Sequence, residues 1–171
     1  MGLIRDVIHA GGTGGLSWHV HAYYAGKRWQ PTLQLIDQFL AQVTPKSDHL
    51  LLIGGSAGWM MPPNWLSRFE RIDAYDIDPL APGLFNWRHG PLLKAQGIDV
   101  HHHRQDALAS LPDLLQQHPK ACIWFDNVLG QHRFRVPDVK RAEHELAQLK
   151  TTLKGRHWGS LHDVWSGPTD G

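Results

Sequence analysis

Small and acidic residues recur along this chain at intervals that could organise a nucleotide-like ligand. Gly54-Gly55-Ser56-Ala57-Gly58 closes an apolar run that begins at His49. Side chains this small let the backbone approach a bound molecule and leave amide N–H groups free to donate. Asp76 follows about 20 residues after the glycines, the spacing at which a carboxylate ending a second strand can accept from both hydroxyls of a ribose. Asp76-Ile77 is therefore a second candidate contact, while Asp78, followed by Pro79, fits a helix N-cap. Asp106-Ala107 ends a third strand, where an acid could accept from an adenine amino group or simply shape a turn. Asp126-Asn127 ends a fourth, and a carboxylate beside an amide there could hold or deprotonate a substrate. His162-Asp163 falls at the end of a fifth, where an imidazole could act as a general base near neutral pH.

These residues do chemistry together only if the chain places the strand ends side by side. Residues 49–55 are a continuous apolar run, as expected of a strand buried on both faces, and residues 71–78, 99–107, 121–128 and 157–167 read as further strands. Between them lie helical patterns: a short helix begun at Pro62 or Pro63, one from Asp78-Pro79 to about Gln96 that Pro82, Gly83 and Gly90-Pro91 could interrupt, and one over 110–117. Residues 137–153 carry Val139, Ala142, Leu146, Leu149 and Leu153 on one helical face, with Gly155 as a C-cap. Leu33, Ile36, Leu40 and Val43 place another helix over 32–43, between Pro31 and Pro45.

Alternating strands and helices predict a Rossmann-like α/β fold: a doubly wound, mostly parallel sheet of about five strands in a three-layer α/β/α arrangement. Such sheets bind ligands outside the carboxyl ends of their strands, which is where the candidates above fall. The chain reads as one domain, with an N-terminal segment and helix over 1–47 and the core over 48–167. Residues 1–30 show no clear period. Gly11-Gly12-Thr13-Gly14-Gly15 lacks a preceding strand and misses the GxGxxG spacing, so it reads as a flexible turn. Trp18-His19 could then fold back over the crevice as a lid.

Composition narrows the partners. The net charge of +1 supplies no long-range field for nucleic acid, which makes a nucleic-acid substrate an unfavoured expectation. No apolar run approaches the roughly 20 residues of a membrane span, and the first residues are too short a run for a signal peptide. Cys122 stands alone and cannot form an internal disulfide, so a reducing cytoplasm is expected. The 13 histidines raise the question of a metal. Neither His19 with His21, nor His101-His102-His103, nor His157 with His162 has a tight metal-ligand spacing, so no metal is expected.

Taken together, HLLLIGGSAGW, AYDIDPLA, RQDAL and IWFDNVLGQ resemble motifs I to IV of the Rossmann-like S-adenosylmethionine-dependent methyltransferases, over roughly residues 49–131. The resemblance implies S-adenosylmethionine as cofactor and a small molecule or protein as methyl acceptor. It implies that Gly54, Ser56 and Gly58, with Gly55 between them, face the methionine part. It further implies Asp76-Ile77 on the ribose, Asp106-Ala107 near the adenine, and Asp126-Asn127 near the methyl group or acceptor. Several positions depart from the family pattern. Leu52 stands where an acid is usual, Ser56 replaces the middle glycine, and Trp59-Met60-Met61-Pro62-Pro63 delays the first helix. The family sheet usually has seven strands. Here residues 1–30 or a second copy of the chain, as in a homodimer, are expected to cover an exposed edge. Two other readings share the layout. One is a non-catalytic nucleotide-binding or interaction module. The other is an NAD(P)-dependent oxidoreductase, whose fingerprint would require glycine in place of Ser56 and Trp59.

Overall fold

The computed structural model describes residues 15–129, 132, 136 and 138–162. Leu50, Leu51, Leu52 and Ile53 of β1 (His49–Ile53) are all buried, as a strand covered on both faces requires. β2 (Arg71–Asp76) and β4 (Cys122–Asp126) pair with β1 on either side, both parallel. β3 (Asp99–Arg104) adds to β2 and β5 (Trp158–Leu161) to β4, giving a five-stranded parallel sheet in the order β3-β2-β1-β4-β5. The chain thus winds outward from β1 to one edge and then returns to fill the other. That reversal puts the topological switch point of the sheet between β1 and β4.

Alternate residues of each strand feed two separate cores. Leu50, Leu52, Ile72 and Trp124 point to one face. There they meet Ile36 and Leu40 of α1 (Gly15–Ala41), Trp65 and Leu66 of α2 (Pro63–Leu66), and Phe85 and Leu93 of α3 (Ala81–Ala95). Leu51, Ile53, Tyr75, Ile123 and Phe125 point to the other, against Leu111, Leu114 and Leu115 of α4 (Leu111–Gln117) and against Leu153, which caps α5 (Val139–Thr152). Helices therefore cover both faces, and the fold is the three-layer α/β arrangement expected.

The main correction concerns the N-terminal region. Residues 15–30 are helical, and α1 passes through Pro31 instead of starting there. An internal proline removes one helical hydrogen bond and clashes with the preceding turn, so packing has to hold the helix on both sides of it. Gly15, His19, Ala22 and Ala25 are buried before Pro31, and Ile36 and Leu40 after it. Smaller differences follow the same logic. α3 runs unbroken through Pro91, starts at Ala81 with Pro82 in its first turn, and is closed by Gly97 at φ +72°. β2, β3 and β5 are shorter than expected, because hydrogen-bond pairing stops where the strand mouths turn into loops. Asp138 caps α5 by accepting from the amides of Lys140 and Arg141. Of the apolar face expected there, Ala142 and Leu153 are buried while Val139 is half exposed.

Candidate functional site

The carboxyl end of β1 is held in an unusual backbone conformation. Gly54, Ser56 and Gly58 all have positive φ, at +73°, +48° and +68°. Gly54 N–H continues the sheet ladder by donating to Tyr75 O at 2.8 Å. Ser56 N–H then donates to Asp76 Oδ2 at 2.8 Å, and Asp78 N–H donates to Asp76 Oδ1 at 2.9 Å. Asp76 is thus clamped between the glycine loop and its own downstream turn. The Ile77 amide is a third donor to this carboxylate, so about one of its roughly four lone-pair sites remains for a ligand. Burial raises the Asp76 pKa, and the amides of Asp78 and Ser56 pull against that shift. A shallow cavity opens beside it, lined by Ser56, Asp76, Ala81, Pro82, His102 and His103.

The glycines meet the chain's own side chains. A Cβ on Gly54 would overlap Val128 Cγ2 and lie 3.1 Å from Asp126 O. One on Gly55 would lie 2.7 Å from Leu52, and one on Gly58 would lie 2.6 Å from His89 Nε2. His89 Nε2 donates to Gly58 O at 3.0 Å, which leaves Nδ1 as the lone-pair nitrogen, buried without a partner. Burial lowers the His89 pKa.

The first half of α1 lies against this loop. His19 Nε2 meets Asp78 Oδ2 at 2.8 Å, and Trp59 Nε1 donates to His19 Nδ1 at 3.1 Å. An indole N–H only donates, so Nδ1 carries the lone pair and Nε2–H points at the carboxylate. Asp78 also accepts from Leu80 N–H, so it shapes the turn into α3 while anchoring α1. Ala22, Ala57 and Trp59 pack together there, with Trp18 and Trp29 against them, and Arg88 stacks 4.4 Å from the centre of the Trp59 ring. Trp18 and His19 thus pack against Trp59 and Asp78, and no residue of α1 lines the cavity beside Asp76.

The remaining sequence candidates are placed as follows. Ile77 is half buried, and Arg104 donates to its carbonyl at 3.5 Å. Asp106 Oδ1 accepts from Leu108 N–H, the turn-forming alternative of its two readings, and Ala107 is buried in the second core. Asp126 is buried at the end of β4, and Asn127 has φ +57° with its amide donating to Leu161 O at 2.6 Å. His162 is exposed, with Nδ1 2.8 Å from Ser160 Oγ, and Asp163 lies outside the described residues. The structure therefore joins Ser56 to Asp76, and Gly54 to the loop of Asp126 and Val128.

Residues 54–58 also have the Gly-x-Ser-x-Gly spacing of a nucleophile elbow. Ser56 has the strained backbone, yet its Oγ is buried with no hydrogen-bond partner, and the chain leaves it through turns instead of a helix. Among the described residues, no base is hydrogen-bonded to it.

His19, Trp59, His89 and Val128 carry the site's packing; of these, His89 and Val128 gave no functional signal in the sequence. A second polar cluster was equally hidden. Asp73 on β2 is 1% exposed and accepts from His49 at 2.7 Å, His103 at 2.6 Å and Arg71 at 2.8 Å. Burial pushes its pKa up, but the hydrogen bonds from Arg71, His103 and His49 outweigh it and hold the carboxyl well below the ordinary range. Among the described residues, no three His, Cys, Asp or Glu side chains converge as a metal site, and no helix is long and apolar enough to cross a membrane.

Comparison with protein-family models, curated proteins and solved structures returned no match. Fold and site define a Rossmann-like α/β protein with a small cavity beside Ser56 and Asp76 at the carboxyl end of β2.

Proposed function

We propose that this chain is an S-adenosylmethionine-dependent methyltransferase-like protein that binds its cofactor at the carboxyl ends of β1 and β2. One observation carries the reading: Asp76, at the carboxyl end of β2, accepts from the amide of Ser56 in the glycine loop and lines the cavity beside it. A ribose there would give a hydroxyl to that carboxylate. The bound cofactor would supply an electrophilic methyl group. The protein's own part is to orient the acceptor and exclude water, with Asp126 and Asn127 on the β4 side. A net charge of +1 and the lone buried Cys122 fit a cytoplasmic protein acting on a small molecule or a protein.

A second reading has an observation in its favour. Val128 and His89 fill the faces of Gly54 and Gly58, as suits a fold kept for interaction without chemistry. Isothermal titration of the full chain with S-adenosylmethionine and with NAD tests both. Binding of S-adenosylmethionine that weakens by about 10–100-fold in Asp76→Ala, the worth of charge-assisted hydrogen bonds, is the expected result. Silence with both ligands would leave the interaction reading, and binding of NAD alone would restore the oxidoreductase.

A further inference from the structure

We infer that two copies of this chain pair through the outward face of α1, with Trp87 of α3 at its margin. Ten large apolar side chains are exposed among the described residues, and six of them lie on α1. The helix already buries His19, Ala22, Ala25, Ile36 and Leu40 against the core, so its opposite side should be polar if it met only water. Instead, steps of three or four residues carry Leu16, Val20 and Tyr24 through Lys27 and Pro31 to Leu35 and Phe39, one continuous line down the outer side. At 1.5 Å per residue that line is about 35 Å long. Tyr23 widens it, its ring 5.4 Å from that of Tyr24 and 6.3 Å from that of Trp87.

Area and shape point to a second copy as the occupant. A fully exposed aromatic side chain offers about 150–250 Å². Tyr23, Tyr24, Phe39 and Trp87 are 59–79% exposed, and Leu16, Val20 and Leu35 are 48–66% exposed. The face therefore presents on the order of 800 Å², about what each partner gives to a standard protein–protein interface. Its core is aromatic and nearly free of charge, as such interfaces are. A straight stripe is also self-complementary, since a two-fold axis across its middle lays a second copy antiparallel on the first.

Charge argues against a lipid surface. Lys27 and Arg28 are the exposed charged residues of α1. Two cations are few for a helix lying on anionic lipid, whose polar face is rich in Lys and Arg. In a pair of helices their aliphatic stems can cover apolar surface while the charged ends stay in water.

The test is sedimentation velocity of the full chain from about 1 to 100 μM, a range that spans the weaker dissociation constants of interfaces this size. Wild-type protein is expected to reach twice the mass of one chain. Tyr24→Glu/Leu35→Glu places two charges in the stripe at exposed positions, and is expected to weaken the dimer at least about 100-fold with a near-wild-type melting curve. Leu16→Glu/Phe39→Glu, at the two ends of the stripe, is a second variant with the same direction of effect. Val139→Glu, on an exposed apolar residue of α5, is expected to leave the dimer within about twofold. A single-chain mass at the highest concentration overturns the pairing. A dimer that survives both double variants, or that Val139→Glu weakens as strongly, places the interface elsewhere and overturns it too. A monomer that co-sediments with phosphatidylcholine–phosphatidylserine vesicles gives the face to a membrane and likewise overturns it.

Discussion

His19 and Asp78 stand 59 positions apart in the chain and meet at 2.8 Å, with side chains only 3% and 1% exposed. The pair joins α1 to the turn behind Asp76, and Trp59 completes it from the glycine loop. Removing the imidazole would leave a buried carboxylate and a buried indole N–H each short of a partner. His19→Ala is therefore expected to cost about 2–4 kcal/mol in urea unfolding. A loss below about 0.5 kcal/mol would show that α1 does not depend on this contact.

Ser56 is a position where the native residue works against stability. Its φ of +48° suits glycine, and its buried Oγ has no hydrogen-bond partner. Ser56→Gly relieves both, against the greater freedom glycine gives the unfolded chain. The net gain is expected to be about 0.5–1.5 kcal/mol, read as a higher urea midpoint with an unchanged slope. A lower midpoint would mean that the hydroxyl is bonded in solution.

Gly54 and Val128 should be energetically coupled. Gly54→Ala is expected to cost about 2–4 kcal/mol, part from φ +73° and part from overlap with Val128. In the Gly54→Ala/Val128→Ala double variant the overlap disappears and the backbone strain remains. A double-mutant cycle should therefore return at least about 1 kcal/mol of coupling. Additive losses would remove Val128 from the face of Gly54.

Acid should destabilise the protein over two ranges. His89 is lowered mainly by burial, as are His102 and His118, so the folded state favours their neutral forms. Their contribution is complete above the ordinary histidine pKa of about 6.5 and is lost as pH falls through the folded values. Asp73 is held low, so its contribution is complete above the ordinary aspartate pKa of about 3.9 and drains as pH falls further. Asp76, raised by burial, has the opposite sign, since its protonation in the folded state relieves a cost. The urea midpoint should fall between about pH 7 and 5 and again below about pH 4. His89→Gln should flatten the first fall, and Asp73→Asn the second. A midpoint unchanged from pH 7 to 5 would contradict a buried neutral His89.

Much of the fold can be read along the chain because its determinants are local. A strand covered on both faces must be apolar throughout, so Leu50–Ile53 declares itself, and the alternation of such runs with helices implies the parallel sheet. The interval from the glycine loop to Asp76 follows from the length of one strand–helix–strand unit, so their proximity was legible too. Tertiary structure decided what those residues touch. The first half of α1 buries Gly15, His19, Ala22 and Ala25, residues too small or too polar to mark an apolar face until Ala57 and Trp59 are set against them. The Asp73 cluster draws on three strands, and it exists only because the strand order puts β1, β2 and β3 side by side. The sequence alone determined that small residues, Gly54 and Gly58, stand at the mouth of the first strand. Packing decided that the space they leave belongs to Val128 and His89, because close packing fills with the chain's own atoms any gap that its loops can reach.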